Sequence, residues 1–239
     1  MAEYDRDKYD LPSDQANSSK LNSLRAAVLG ANDGVVSVSS VVMGVAGATS
    51  DAHAITLAGL AALIAGALSM AVGEYVSVSS QADAEKAYIR EEKKDLRDDP
   101  DGELDELTRE YMKLGLARNT AGRVAHELTK KDALRSHLRV HFGLDPDDIN
   151  SPWQAAIASL LAFTVGGLVP FVAVLIAPSE LRVATTVIAV LVALVVIGVL
   201  SARVGRAPAL RATTRVIVGG VLAMVITYGV GVLFGTAVG

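Results

Sequence analysis

Apolar residues gather into five blocks along the chain, at about 25–48, 55–78, 154–177, 181–202 and 212–236. A helix needs roughly 20 apolar residues to cross a hydrocarbon core of about 30 Å, so each block is long enough to span. The third block opens at Ser151-Pro152-Trp153, where Pro suits a helix start and Trp a membrane interface. Ala177-Pro178-Ser179 makes the third and fourth spans a tight hairpin. Between the second and third blocks the pattern inverts. Residues 79–153 carry 17 acidic and 13 basic side chains and three of the four histidines. This stretch still reads as helix. Ala82 to Leu96 continues the second span, Pro100-Asp101-Gly102 predicts a turn, Glu103 to Leu116 resumes, and Ala121 to Phe142 forms a further helix ending at Gly143. Leu104, Leu107, Tyr111 and Leu114 recur at helical spacing and predict one buried face. The pattern as a whole predicts an all-α membrane protein with five transmembrane helices and a helical insert between the second and third.

Charge orients these elements. Lys and Arg concentrate in the N-terminal tail, in the insert and at 203–215, and are missing from the loops at 49–54 and 178–181 and from the C-terminal tail. Basic loops stay on the cytoplasmic side. The expected topology is therefore a multi-pass protein of the cell (inner) membrane, with a cytoplasmic N-terminus and insert and an outer C-terminus. The domains expected are a disordered tail over 1–22, two spans over 23–80, the cytoplasmic helical domain over 81–150, and three spans over 151–239. The start, MAEYDRDKYDLPSDQANSSK, lacks the basic and short apolar regions of a cleaved signal, so the first span is expected to be an uncleaved anchor. The chain has 239 residues, 51% of them hydrophobic, a net charge of -4 and no cysteine. Disulfides, thiolate metal sites and Cys nucleophiles are excluded. The charge is too small, and too evenly mixed, to argue for nucleic acid.

Polar residues inside the spans carry the chemistry. A carboxylate within a span costs on the order of 2.5–3.5 kcal/mol on insertion scales, which makes Asp33, in Gly30-Ala31-Asn32-Asp33-Gly34, a functional candidate. Asp33 lies roughly 12 Å from the cytoplasmic end of its span at ~1.5 Å per residue, and Met70 lies at a similar depth in the second. Glu74 shares a face with Met70 at i, i+4. A carboxylate and a thioether at one depth suit a transition-metal ion better than Mg²⁺ or Ca²⁺. Each has a plainer reading. Asp33 could cap a broken helix, Met70 could simply pack, and Glu74 could be solvated at the interface. The serines at 37, 39, 40, 77, 79 and 80 read as helix-packing groups, and the Gly-Gly pairs at 166–167 and 219–220 as close packing or a hinge.

In the insert, Glu92 and Asp95 form an i, i+3 pair, as do Glu103 and Glu106, and the turn at Pro100 could bring the pairs together. His137 and His141 stand at i, i+4, a spacing that lets two imidazoles share a metal. Carboxylates with imidazoles suit Fe²⁺, Mn²⁺ or Zn²⁺. Taken singly, each pair is also what a solvated helix face looks like.

At these residues the chain resembles the vacuolar iron transporter family, with its bacterial and nodulin-like members. The resemblance is carried by Gly30 to Ser37, by Gly66-Ala67-Leu68-Ser69-Met70-Ala71-Val72-Gly73-Glu74-Tyr75, by Ser79 to Asp83, and more weakly by Gly166-Gly167-Leu168-Val169-Pro170. It covers roughly residues 20–237. It implies a five-helix homodimer exporting Fe²⁺ or Mn²⁺ from the cytoplasm in exchange for protons, with Asp33 and Met70 lining the path. Some members carry a further Glu eight residues before the Met, where this chain has Ala62. The resemblance also implies a helical metal-binding insert with acidic ligands spaced E-x-x-E, seven residues, E-x-x-E, matched here by Glu92, Asp95, Glu103 and Glu106. A Met and a Glu used by some members of the family fall on His137 and His141. Imidazole there shifts metal preference or makes binding more pH-dependent.

The expected substrate is a divalent ion, Fe²⁺ or Mn²⁺ with Zn²⁺ and Co²⁺ as further candidates, and no cofactor is expected to be permanently bound. The expected partners are membrane lipid, metal ions, protons and a second copy of the chain. The rival reading is a membrane-anchored metal buffer or sensor, which gives no reason for Asp33. No GxxxxGK[ST] loop and no hydrolytic motif stands out, so ATP coupling within this chain and an enzyme are both disfavoured.

Overall fold

The computed structural model describes residues 14–147 and 149–238, with side chains from 26 to 147 and from 149 to 236. Among these residues the chain is helical: α1 (Asp14–Ala48), α2 (Ala52–Asp98), α3 (Pro100–Lys113), α4 (Arg118–His141), α5 (Pro152–Ile176), a one-turn 3-10 helix (Ser179–Leu181), α6 (Arg182–Val204) and α7 (Ala209–Val238). Five helical stretches are long and apolar enough to cross a membrane: Ala26–Ala48, Ala52–Asp98, Pro152–Ile176, Ser179–Val204 and Ala209–Thr236. The chain is therefore an all-α, multi-pass membrane protein. Residues 1–13 of the expected tail lie outside the described residues. Residues 14–22 are the opening turns of α1, because neither Gly nor Pro interrupts the chain between Pro12 and Gly30.

The chain divides into two compact units. One holds the residues up to Tyr75 together with those from Trp153 onward, and the other holds Val76–Pro152.

In the first unit α1 is central, with a different apolar face toward each pair of neighbours. Val38 and Val42 pack with Ile55, Leu63 and Ala67 of α2 and Phe163 and Val174 of α5. Val35 and Met43 pack with Val190 and Leu194 of α6 and Met224 of α7. Apolar association alone does not hold helices together in lipid, so close backbone approach matters. A side chain on Gly34 would collide with the Phe163 carbonyl, and one on Gly166 with the Ala31 carbonyl. The glycine of the Asn32-Asp33-Gly34 run and the first of the Gly166-Gly167 pair thus serve the α1–α5 crossing. The outer faces remain apolar and open, as at Leu68, Val72, Val196 and Leu233, which suits lipid contact. Tyr75 and Trp153 pack with ring centroids 4.9 Å apart where α2 leaves this unit and α5 enters it.

The second unit contains the polar half of α2, with α3 and α4. The expected turn over Pro100–Gly102 is shorter than predicted. Asp99 alone breaks the helix and caps α3, its side chain accepting a bond from the Gly102 amide at 3.0 Å. Pro100 is the first residue of α3, where its missing N–H costs nothing. Leu107 is fully buried, with Leu104 and Tyr111 half-buried beside it, but Leu114 is 73% exposed. The helix ends at Lys113 and Gly115 turns the chain with φ 98, so Leu114 leaves the predicted face. The helix expected over 121–142 is broken as well. Asp132 has extended backbone (φ -166, ψ 94), and its carboxylate caps the following segment through the Arg135 amide at 3.0 Å.

Candidate metal centre

The one-residue reversal at Asp99 decides the site. It returns α3 against the end of α2, so Glu92, seven residues before the break, meets Glu103, four residues after it. The restarted half of α4 adds His137. One ligand atom from each of Glu92, Glu103 and His137 lies within 4.8 Å of the others. His137 Nδ1 is 3.0 Å from Glu92 Oε1 and 3.3 Å from Glu103 Oε2. His141, one turn on, has its ring centroid 5.4 Å from that of His137 and its Nδ1 3.8 Å from Glu106 Oε1.

Burial makes this arrangement unusual. His137 is 0% exposed and Glu92 5%. Yet Glu92 Oε1, both ring nitrogens of His137 and His141 Nε2 lack a properly directed hydrogen-bond partner. A buried polar atom left unsatisfied costs about 1–3 kcal/mol, and carboxylates and imidazoles crowded in this way share one remedy, a cation between them. Protons supply part of it. Burial first, then the carboxylates of Glu103, Asp95 and Glu106, push Glu92 up to about 7. Glu103 is also raised, by burial and by Glu106 and Asp95. Burial, then His141, holds His137 below the usual imidazole value. A neutral imidazole beside Glu92, which gives up its proton near neutrality, and Glu103, whose carboxyl is also raised, is a donor set for a borderline divalent ion.

Of the six residues singled out in the insert, three converge and His141 pairs with Glu106 alongside. Asp95 stands half-exposed and acts through its charge. A further buried carboxylate of the insert, Glu85, lies outside this group and was not singled out from the sequence. Glu85 is 9% exposed and accepts a bond from Gln81 Nε2 at 2.9 Å. It precedes Glu92 by seven residues, two turns along the same helical face, which is the signal that could have found it.

The candidates in the spans have other surroundings. Asp33 is exposed on the surface of the single chain and accepts a hydrogen bond at 3.0 Å from Ser37, a residue read above as a packing group. Beside it in sequence, Asn32 Oδ1 is buried without a partner. Met70 is half-buried against the cluster of Val38, Val42 and Phe163. Glu74 is half-buried, with no ion pair or side-chain hydrogen bond among the described residues.

The VIT family model matches residues 24–232, a stretch that takes in four spans, the insert and most of the fifth span. The chain belongs to the VIT family. Among similar proteins, a vacuolar iron transporter of Acanthamoeba castellanii is 41% identical over 88% of this chain and 78% of its own length. The vacuolar iron transporter homologs 2 and 4 of Arabidopsis thaliana are 38% and 39% identical, each over 89% of this chain and 84% of their own lengths. This VIT-family chain therefore carries its insert within the matched region.

Proposed function

We propose that the chain is a secondary transporter that exports cytoplasmic Fe²⁺, Mn²⁺ or both in exchange for external protons, serving metal homeostasis. It works as a homodimer in the cell membrane, with the N-terminus and insert cytoplasmic and the C-terminus outside. The iron named for its relatives supports the ion class. The observation that carries the reading is His137: a fully buried imidazole with neither nitrogen in a properly directed hydrogen bond, its Nδ1 crowded by two carboxylates that resist ionisation. In this reading Glu92, Glu103 and His137 take up the ion, while His141, Glu106 and Asp95 add a ligand pair and negative charge. Arrival of a dication displaces the proton that Glu92 holds near neutrality.

Asp33, Met70 and Glu74 form the path across the membrane. Asp33 is the step at which metal and proton compete, since a carboxylate can hold either. Its exposure on the single chain supports the dimer: facing lipid alone, it would be costly. The molar mass of the detergent-solubilised chain, corrected for bound detergent, is expected to equal two copies; one copy would remove the dimer from the reading.

Metal flux into proteoliposomes tests the function. Fe²⁺ and Mn²⁺ are expected to move only while a pH gradient is imposed, and to move in the direction opposite to protons. Flux indifferent to the gradient would indicate a channel, and metal binding without flux a buffer. Either result would overturn the proposal.

A further inference from the structure

The turn from α6 to α7 carries four arginines, Arg203, Arg206, Arg211 and Arg215, and no Asp or Glu follows Glu180 anywhere in the chain. Among the described residues none of the four forms an ion pair. The turn even places positive charge where the backbone favours glycine. The Ala207 amide bonds back to the Ala202 carbonyl at 2.9 Å, closing α6, and Arg206 sits in the left-handed region at φ 48.

Below this turn, the outer side of α7 forms an open groove of about 810 Å³. Arg211 and Arg215 line it together with Pro208, Leu210, Val218 and Gly219. Thr214 is committed to the Leu210 carbonyl at 2.7 Å and leaves the arginines as the free polar groups. Gly219, one turn beyond Arg215, has no atom near where a side chain would stand, so it leaves a notch. The exposed face continues through Leu222, which is 54% exposed, while the opposite side of α7 packs inward through Met224.

We propose that this face holds one anionic phospholipid, its phosphate between Arg211 and Arg215 and an acyl chain over Val218, Gly219 and Leu222. Charge complementarity chooses the occupant. Two guanidinium groups at the membrane edge match a phosphate, and the apolar strip running into the span matches a chain. A free phosphate leaves that strip unused. A second copy docking symmetrically would set arginine against arginine, with no acid on this segment to offset it.

Lipid retention by the full chain, purified in mild detergent and weighed intact by native mass spectrometry, tests this. Phosphatidylglycerol is the probe, with phosphatidylcholine as its neutral counterpart. The wild type is expected to hold one phosphatidylglycerol per chain in preference to phosphatidylcholine. The double variant R211Q/R215Q should bind it about 30-fold more weakly. Arg203→Gln, which removes equal charge from the same turn but not from the groove, should bind it as the wild type does. Gly219→Leu fills the notch without changing charge and should also lower retention; it serves as the test should the double variant fail to fold. The proposal is overturned by equal retention of the two lipids, by Arg203→Gln weakening binding as much as a groove arginine, or by groove variants that retain lipid normally. Displacement of the lipid by equimolar inorganic phosphate, or a change of oligomeric mass in the groove variants, would overturn it too. The first would mark a phosphate site and the second an interface between copies.

Discussion

Asp33 and Glu92 pose the same physical problem, a carboxylate on an α-helix away from bulk water, and the chain treats them in opposite ways. Glu92 is buried within its own unit, crowded by Glu103 and His137, and pushed up to about 7. Asp33 lies on the surface of the single chain with Ser37 as its hydrogen-bond donor. The first is enclosed by the chain and short of a cation. The second is supplied with a local donor but short of surroundings, which lipid would not provide. The difference fits the roles proposed for the two: storing an ion benefits from enclosure, whereas passing it on requires a residue open to something outside its own chain.

That contrast can be broken by substitution. Asp33→Ala should have the largest effect, lowering metal flux to background while binding at the insert is unchanged; flux through proteoliposomes and equilibrium metal binding read the two halves separately. His137→Leu should do the reverse. It should weaken metal binding by about 100-fold, the upper range for disturbing even a neighbour of a metal ligand. Without metal it should stabilise the insert by about 1–3 kcal/mol, since two unsatisfied nitrogens leave the interior. Isothermal titration and denaturant unfolding check these outcomes.

Glu92, the buried member of the pair, should also make the insert sensitive to pH. Glu92 rises from 4.5 to about 7 on folding. Between those values the folded state binds the extra proton, so metal-free stability should fall as pH rises from about 4.5 to 7, by on the order of 3 kcal/mol. Glu103, raised as well, adds in the same direction. His137 works oppositely: its folded value is lowered, so its contribution grows as pH rises toward 6.5 and is complete above it. Glu92→Gln should therefore flatten the decline in an unfolding series across pH. Metal affinity should run the other way and strengthen as pH rises through 7. The smallest effect expected is that of Asp132→Ala. Loss of the cap on the His-bearing segment should cost about 1 kcal/mol of stability and only slightly weaken metal binding.

The five spans were legible because apolar residues come in long blocks that a few polar residues such as Asp33 and Glu74 do not break up, and the helical ends differ from the expected ones by only a few residues where no long polar helix continues the span. The details of the insert were less legible, for local reasons. Pro100 was read as part of a turn, but proline opens helices as readily as it ends them, and Asp99 before it is the cap. Asp132 follows Lys130-Lys131 with no Gly or Pro to announce a break, so α4 read as one helix. Glu85 lies in a helix crowded with charged residues, and its spacing to other charges does not by itself distinguish a buried carboxylate from a solvated one. The i, i+4 spacing of His137 and His141 marked the face they share, but the approach of Glu92 to Glu103 depends on how tightly the chain reverses at Asp99, which spacing alone does not determine. In the first unit, Gly166 reads from sequence as close packing or a hinge and the structure shows close packing, whereas its partner in the crossing, Gly34, is identified only by the two backbones meeting there.

The proposed division of labour is between a buried residue, Glu92, that collects the ion and an exposed one, Asp33, that passes it. It is tested most directly on a single preparation of Asp33→Ala, assayed for Fe²⁺ binding in detergent and, after reconstitution, for Fe²⁺ flux under a proton gradient. The expected result is wild-type binding with no flux above empty liposomes. Undiminished flux in that variant, or loss of binding together with flux, would contradict it.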